Sequence, residues 1–118
     1  MAIDQLDTVT LSVYGNDFTG DIDSTILTVS LSEGIVKYKS NIYLRSLKKE
    51  FTPDAITGKI TMILPDTDNM EGNISYIFDF GNGVKYKSKV PYSAIEVNFW
   101  DLDLVKSNDK SFNPFEII

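Results

Sequence analysis

The sequence predicts an all-β domain, a sandwich or small barrel of seven or eight short antiparallel strands. Three observations lead there. Apolar residues recur at every second position in most of the runs between Thr8 and Leu104, the mark of half-buried strands. Turn residues interrupt those runs about every ten residues, the spacing of sandwiches and barrels. No run carries a 3.6-residue period over the length of an ordinary helix.

The elements follow in order. Thr8–Tyr14 (TVTLSVY) places Val9, Leu11 and Val13 on one face and Thr8, Thr10 and Ser12 on the other. Gly15–Ser24 is polar and rich in Gly and Asp, which predicts a surface loop. Thr25–Leu31 alternates again, with Leu27, Val29 and Leu31 inward, and Ser32-Glu33-Gly34 turns the chain. Ile35–Leu47 reads as two short strands with a bend near Ser40-Asn41; a short helical turn over Leu47–Phe51 is the alternative.

Thr52–Gly58 contains Pro53 and is expected to loop. Lys59–Leu64 puts Ile60, Met62 and Leu64 on one side, and Pro65 ends it because proline lacks the donor that a central strand needs. After an acidic loop at Asp66–Gly72, Asn73–Phe80 aligns Ile74, Tyr76, Phe78 and Phe80. Gly81-Asn82-Gly83 is a hairpin signal, since Gly and Asn accept positive φ. Val84–Val90 returns with Val84, Tyr86 and Val90 inward and Lys85, Lys87 and Lys89 outward. Ala94–Phe99 alternates once more, with Ile95, Val97 and Phe99 together, and the compact Leu102 and Leu104 follow. Lys106–Ile118 has no strand period but carries Phe112, Phe115, Ile117 and Ile118.

Composition narrows the chemistry. The chain has 118 residues, the length of one domain, with 17 Asp and Glu against 11 Lys and Arg and a net charge of −6. Arg45 is the sole arginine. An acidic chain with one arginine lacks the positive face that nucleic-acid binding uses, so no nucleic-acid partner is expected. With neither Cys nor His, disulfides, Cys or His nucleophile–base pairs, and metal sites built on those residues are excluded. Met1–Thr10 carries Asp4 and Asp7 and has no basic start or apolar core, so synthesis in a cytoplasm without a secretory signal is expected. No run approaches the ~18–20 apolar residues of a membrane span, so no membrane partner is expected.

Each candidate for chemistry has a plain competitor. Asp66-Thr67-Asp68-Asn69-Met70-Glu71-Gly72 suggests calcium, but Met70 stands at the third ligand position of the EF-hand pattern and Glu71 where Gly is required. A solvated turn is the better reading, and no metal is expected there or at Asp17, Asp21 and Asp23. Nothing fixes two carboxylates at the separation glycoside hydrolysis requires. A Ser–Lys dyad would need an S-x-x-K run at a helix start, and helix is scarce. Lys85, Lys87 and Lys89 form a stripe that reads as an anion- or partner-binding face, or as a solvated face paired with Asp79 or Glu96 across strands. Tyr14, Tyr43, Tyr92 and Trp100 fall opposite the core or near strand ends, where rings stack on sugars in carbohydrate-binding modules; most tyrosines of sandwiches fill cores or edges instead. Asn73-Ile74-Ser75 is a formal glycosylation sequon that has no meaning without secretion.

Three pieces carry a family resemblance. Gly58–Asn69 (GKITMILPDTDN) ends a strand in an LPxTD turn. Ser75-Tyr76 leads to Val84–Pro91 (VKYKSKVP), a hairpin return that closes in Val-Pro. Val97 through Asp101-Leu102-Asp103-Leu104 makes a closing segment. In that order and spacing they resemble a domain of bacteriophage virion proteins, often found at the N-terminus of tail or head fibre proteins. The resemblance covers about half of the 118 residues, the second half of the chain.

The resemblance implies a single immunoglobulin-like β-sandwich over residues 8–105, with residues 1–7 as an N-terminal arm and 106–118 as a C-terminal arm. It implies a non-enzymatic bacteriophage virion structural protein, with no catalytic residue and no cofactor. In fibre proteins the domain precedes a long fibrous region, whereas this chain stops at Ile118. That favours a capsid decoration, head-fibre or neck accessory that binds other virion subunits, or itself as a homo-oligomer. The alternatives are a tail-fibre attachment module and a carbohydrate-binding module for host surface glycans. The expected partner-binding residues are Phe112, Phe115, Ile117, Ile118, Trp100, Lys85, Lys87 and Lys89. Burying the two Phe and two Ile of the tail would contribute roughly 6–10 kcal/mol before ordering costs.

Overall fold

The computed structural model describes residues 6–81 and 83–108. Among them the chain is all-β, with ten strands rather than the expected seven or eight: β1 (Thr8–Tyr14), β2 (Leu27–Leu31), β3 (Ile35–Tyr38), β4 (Ile42–Arg45), β5 (Lys49–Phe51), β6 (Lys59–Pro65), β7 (Tyr76–Asp79), β8 (Val84–Ser88), β9 (Val97–Asn98) and β10 (Val105–Asn108). One turn of 3-10 helix, Phe99–Asp101, follows β9.

The strands form three sheets. One has the order β6-β1-β9, a second β10-β8-β7-β2-β5, and β3 and β4 make a two-stranded hairpin. Pairing is antiparallel except between β1 and β9, which run parallel through Leu11–Val97 and Ser12–Asn98. The expectation of wholly antiparallel strands fails there, because the long connection after β8 brings the chain back alongside β1 rather than by a hairpin.

The alternating patterns bury what they predict. Val9, Leu11 and Val13 of β1, Leu27 and Val29 of β2, Ile60, Met62 and Leu64 of β6, and Tyr76 and Phe78 of β7 all belong to one buried core. The register is fixed by that alternation, since a one-residue slip of β1 against β6 would send its three aliphatic side chains to solvent. Val36 and Tyr38 of β3, Met70, Ile74, Val90 and Phe99 complete the core, so all three sheets share it. Phe99 sits among Phe78, Phe80, Tyr86 and Trp100 in edge-on ring contacts with centroids 5.0–5.8 Å apart, the geometry that suits aromatic quadrupoles.

The differences from the sequence pattern have local causes. Residues 47–51 form no helical turn: β5 pairs with β2 as Leu27–Phe51, Thr28–Glu50 and Val29–Lys49. The strand expected from Asn73 starts only at Tyr76, because the Ser75 N–H donates to the Ser32 hydroxyl instead of a ladder partner. The expected strand Ala94–Phe99 shrinks to Val97–Asn98. The Ser93 hydroxyl bonds both the N–H and the carbonyl of Ile95, curling that segment. The Asn98 side chain then accepts the Trp100 N–H, opening the 3-10 turn. That turn carries Phe99 into the core and leaves Ile95 exposed, so the two do not share a face as expected.

β10 crosses the expected domain boundary: Val105, Lys106, Ser107 and Asn108 pair with Lys87, Tyr86, Lys85 and Val84. The first three residues assigned to a C-terminal arm thus belong to the five-stranded sheet. The hairpin around residue 82 forms as expected, with Gly81 and Gly83 both at positive φ and the Phe80 N–H donating to the Val84 carbonyl. Residue 82 itself lies outside the described residues.

Candidate functional site

The loop after β6 carries a dense set of hydrogen bonds. Pro65 ends the strand, and its carbonyl accepts the Tyr76 hydroxyl at 2.7 Å. Asp66 is fully buried. Its carboxylate accepts the Tyr38 hydroxyl at 2.5 Å and the Asn69 side-chain amide at 2.9 Å. The Asp66 N–H donates to the Asp7 carbonyl, and the Asp7 N–H donates to the Tyr38 oxygen. Thr67 pairs with Val90 twice, its N–H donating to the Val90 carbonyl and its hydroxyl accepting the Val90 N–H. The Asp68 carboxylate accepts the Tyr92 N–H, and the Asn69 carbonyl accepts the Lys39 N–H.

Four successive residues therefore fasten the segment before β1, the hairpin β3–β4 and the segment after β8 to the end of β6. A buried carboxylate is costly unless hydrogen-bonded, and here no buried side-chain nitrogen or oxygen lacks a partner among the described residues. Burial and the bond to Asp66 raise the Tyr38 phenol to about 12. Burial, with Tyr38 and Asp66 nearby, pushes Tyr76 above the usual phenol range. Of the three carboxylates in the loop that invited a calcium reading, Asp66 and Asp68 take part in these joints and Glu71 pairs with Lys37 at 3.3 Å.

The expected partner residues separate. Phe112, Phe115, Ile117 and Ile118 lie outside the described residues. Lys85 and Lys87 face away from the core on β8. Lys85 stands opposite Asp79 and Lys87 opposite Ile77. Lys89 lies beyond the strand, and its ammonium donates to the Ile74 carbonyl at 3.1 Å. Glu96 pairs instead with Lys59 at 3.1 Å. Hydrogen bonds from Ser12 and then Lys59 lower the Glu96 carboxyl, and Glu96 in turn raises Lys59. Trp100 is 56% exposed, with its indole held edge-on against Tyr86 and Phe99. Tyr14, Tyr43 and Tyr92 are exposed on β1, β4 and the segment after β8.

Two clefts open near the end of the sheets where Pro65 lies. The first has a volume of about 300 Å³ and a floor of Val29, Leu31, Leu64 and Tyr76. Tyr43, Arg45, Leu47 and Lys49 form its rim. Tyr43 and Leu47 are 66% and 71% exposed, and the Arg45 guanidinium lies 6.0 Å from the Tyr43 ring centre. The second, of about 430 Å³, lies between Pro91, Tyr92, Val97 and Leu102, with Asp101 and Asp103 beside it.

The alternation in Ile42–Arg45 contained part of the first cleft, since it turns Tyr43 and Arg45 outward. Its depth depends on β2, β6 and β7 meeting there, which no local pattern encodes. No protein-family model and no curated protein matches the chain.

Proposed function

We propose that this chain is a non-enzymatic structural protein of a bacteriophage virion that holds other virion subunits. In this reading the sheets β6-β1-β9 and β10-β8-β7-β2-β5 are the two layers of an immunoglobulin-like sandwich, and the protein is made in the host cytoplasm and resides in the particle as a capsid decoration, head-fibre or neck accessory. One observation carries the reading. The polar side chains of the resembling loop, Asp66 to Asn69, are consumed in joining segments of the chain, while large apolar side chains such as Tyr43 and Leu47 stay at the surface around a cleft. The polar groups of that loop are engaged within the chain, and the exposed apolar surface suits contact with another protein.

Electron microscopy of particles assembled without this chain tests the proposal. Loss of a discrete density that returns when purified protein is added supports it, and particles identical with and without the protein refute it.

A second reading rests on Trp100, an exposed indole fixed by two rings and therefore able to stack on a sugar without ordering cost. Glycan-array binding that disappears in Trp100→Ala, with particle binding unchanged, favours a carbohydrate-binding module or a tail-fibre attachment role.

A further inference from the structure

We propose that the cleft rimmed by Tyr43, Arg45, Leu47 and Lys49 receives the segment Phe112–Ile118 of a second copy of this chain. The inference deepens the docking reading above and rests on it for biological meaning, but its chemistry stands by itself.

The cleft is built for an apolar chain segment with an acidic residue. Its floor is aliphatic and aromatic, and Leu47 projects from its edge. Two cations sit on the rim of a chain whose net charge is −6, and one of them is the sole arginine. Neither Arg45 nor Lys49 forms an ion pair among the described residues. The sequence Phe112-Asn113-Pro114-Phe115-Glu116-Ile117-Ile118 matches that chemistry, with four large apolar side chains and one carboxylate flanked by Phe115 and Ile117. An arginine stacked on tyrosine keeps its donors free for a carboxylate while its flat face stays covered.

The cleft also adjoins main chain that has no ladder partner among the described residues. Among the described residues, β6 has β1 as its only strand neighbour. Hydrogen bonds of Asp66 to Asp7 and of Gly15 to Gly58 set the phase of that ladder. In that phase the N–H and C=O of Thr61 and Ile63 point away from β1. An extended segment leaving the cleft past Leu64 meets those groups, the geometry of strand addition.

Geometry favours a second copy over the chain's own end. Asn108 pairs with Val84 at the hairpin end of the five-stranded sheet, while Leu31 and Tyr76 of the cleft pair at the other end. The offset is about 13 Å along the strands and about 14 Å across three strand spacings, roughly 20 Å in all. Covering it consumes about six extended residues, so residues 112–114 of the same chain fall short and only part of the segment, from Phe115 on, comes within reach. A neighbouring copy carries no such restriction.

Sedimentation of the full chain over a range of concentrations tests this. The expected result is a mass that rises with concentration and a dissociation constant weakened at least tenfold by Arg45→Glu, by Leu47→Asp or by Phe115→Ser. The double variant Arg45→Glu with Glu116→Arg is expected to return to within about threefold of the parent. A far-ultraviolet spectrum and melting temperature matching the parent establish that each variant is folded. Either a monomer at every concentration, or association untouched by these substitutions, overturns the inference. Self-association without binding to particles would sink the virion reading alone; particle binding by a strict monomer would sink this inference alone.

Discussion

The Tyr38 hydroxyl donates to the Asp66 carboxylate at 2.5 Å, joining a hairpin strand to the end of β6 across 28 residues of sequence. Tyr38 and Asp66 are both fully buried. Removing the hydroxyl leaves the carboxylate with the Asn69 amide as its remaining side-chain donor and leaves the Asp7 N–H without its acceptor. Tyr38→Phe should therefore cost about 1–3 kcal/mol in urea unfolding, and more than Tyr14→Phe at the exposed end of β1.

Thr67 offers a test with less change of shape. Thr67→Val keeps the volume and removes the acceptor of the buried Val90 N–H. A loss of about 1–3 kcal/mol is expected from the unpaired donor, with Thr67→Ser recovering most of it. Equal stability of the Val variant would show that the side-chain bond to Val90 does not hold the segment after β8.

Alkaline titration reads the same region. Tyr38 is raised from 10 to about 12, mainly by burial, and Tyr76 is raised too. In the unfolded chain both phenols lose their protons near pH 10, while the folded protein retains them. The contribution is therefore complete below pH 10 and is lost as pH rises from 10 through about 12, by up to about 1.4 kcal/mol per pH unit for each phenol. Absorbance at the phenolate band should show Tyr38 and Tyr76 ionising later in the folded protein than in the unfolded chain, with one late-ionising phenol fewer in Tyr38→Phe.

The sequence pattern resolved what repeats locally and missed what depends on remote partners. β1 and β6 were legible because seven-residue alternation survives any tertiary context. The bend near Ser40-Asn41 was legible from polar residues between two short apolar runs, and the hairpin turns over Lys39 with φ 55°. β5 and β10 were not legible, because Lys-Glu-Phe and Val-Lys-Ser-Asn acquire strand form only by pairing with β2 and β8. Likewise, Asp66 reads as a surface acid until Tyr38 arrives from 28 residues away. The loop Asp66–Asn69 was visible as a polar run after a strand, while its role as a joint depends on Tyr38, Val90 and Tyr92.

The end of the sheet gives a truncation prediction. Removing residues 109–118 leaves the β10–β8 ladder whole, whereas removing 106–118 strips three of its four paired residues. The longer deletion should lower stability by roughly 2–4 kcal/mol at about 1 kcal/mol per lost ladder bond, visible as a lower melting temperature. Identical melting curves for the two truncations would argue that β10 contributes no stability.

The aromatic cluster separates support from recognition. Phe99→Ala should cost about 3–5 kcal/mol, because Phe99 is buried among four rings. Trp100→Ala should cost about 1–2 kcal/mol, since half the indole is already in water. Calorimetry on the two variants checks the ranking.

The most direct measurement for the central claim is co-sedimentation of the purified full chain with virion particles assembled without it. The claim predicts saturable binding that is unaffected by Lys85→Ala, because Lys85 stands opposite Asp79 on the five-stranded sheet, and that is lost when Tyr43 and Leu47 are both replaced by Asp. Particles that pellet without the protein at every concentration would contradict it.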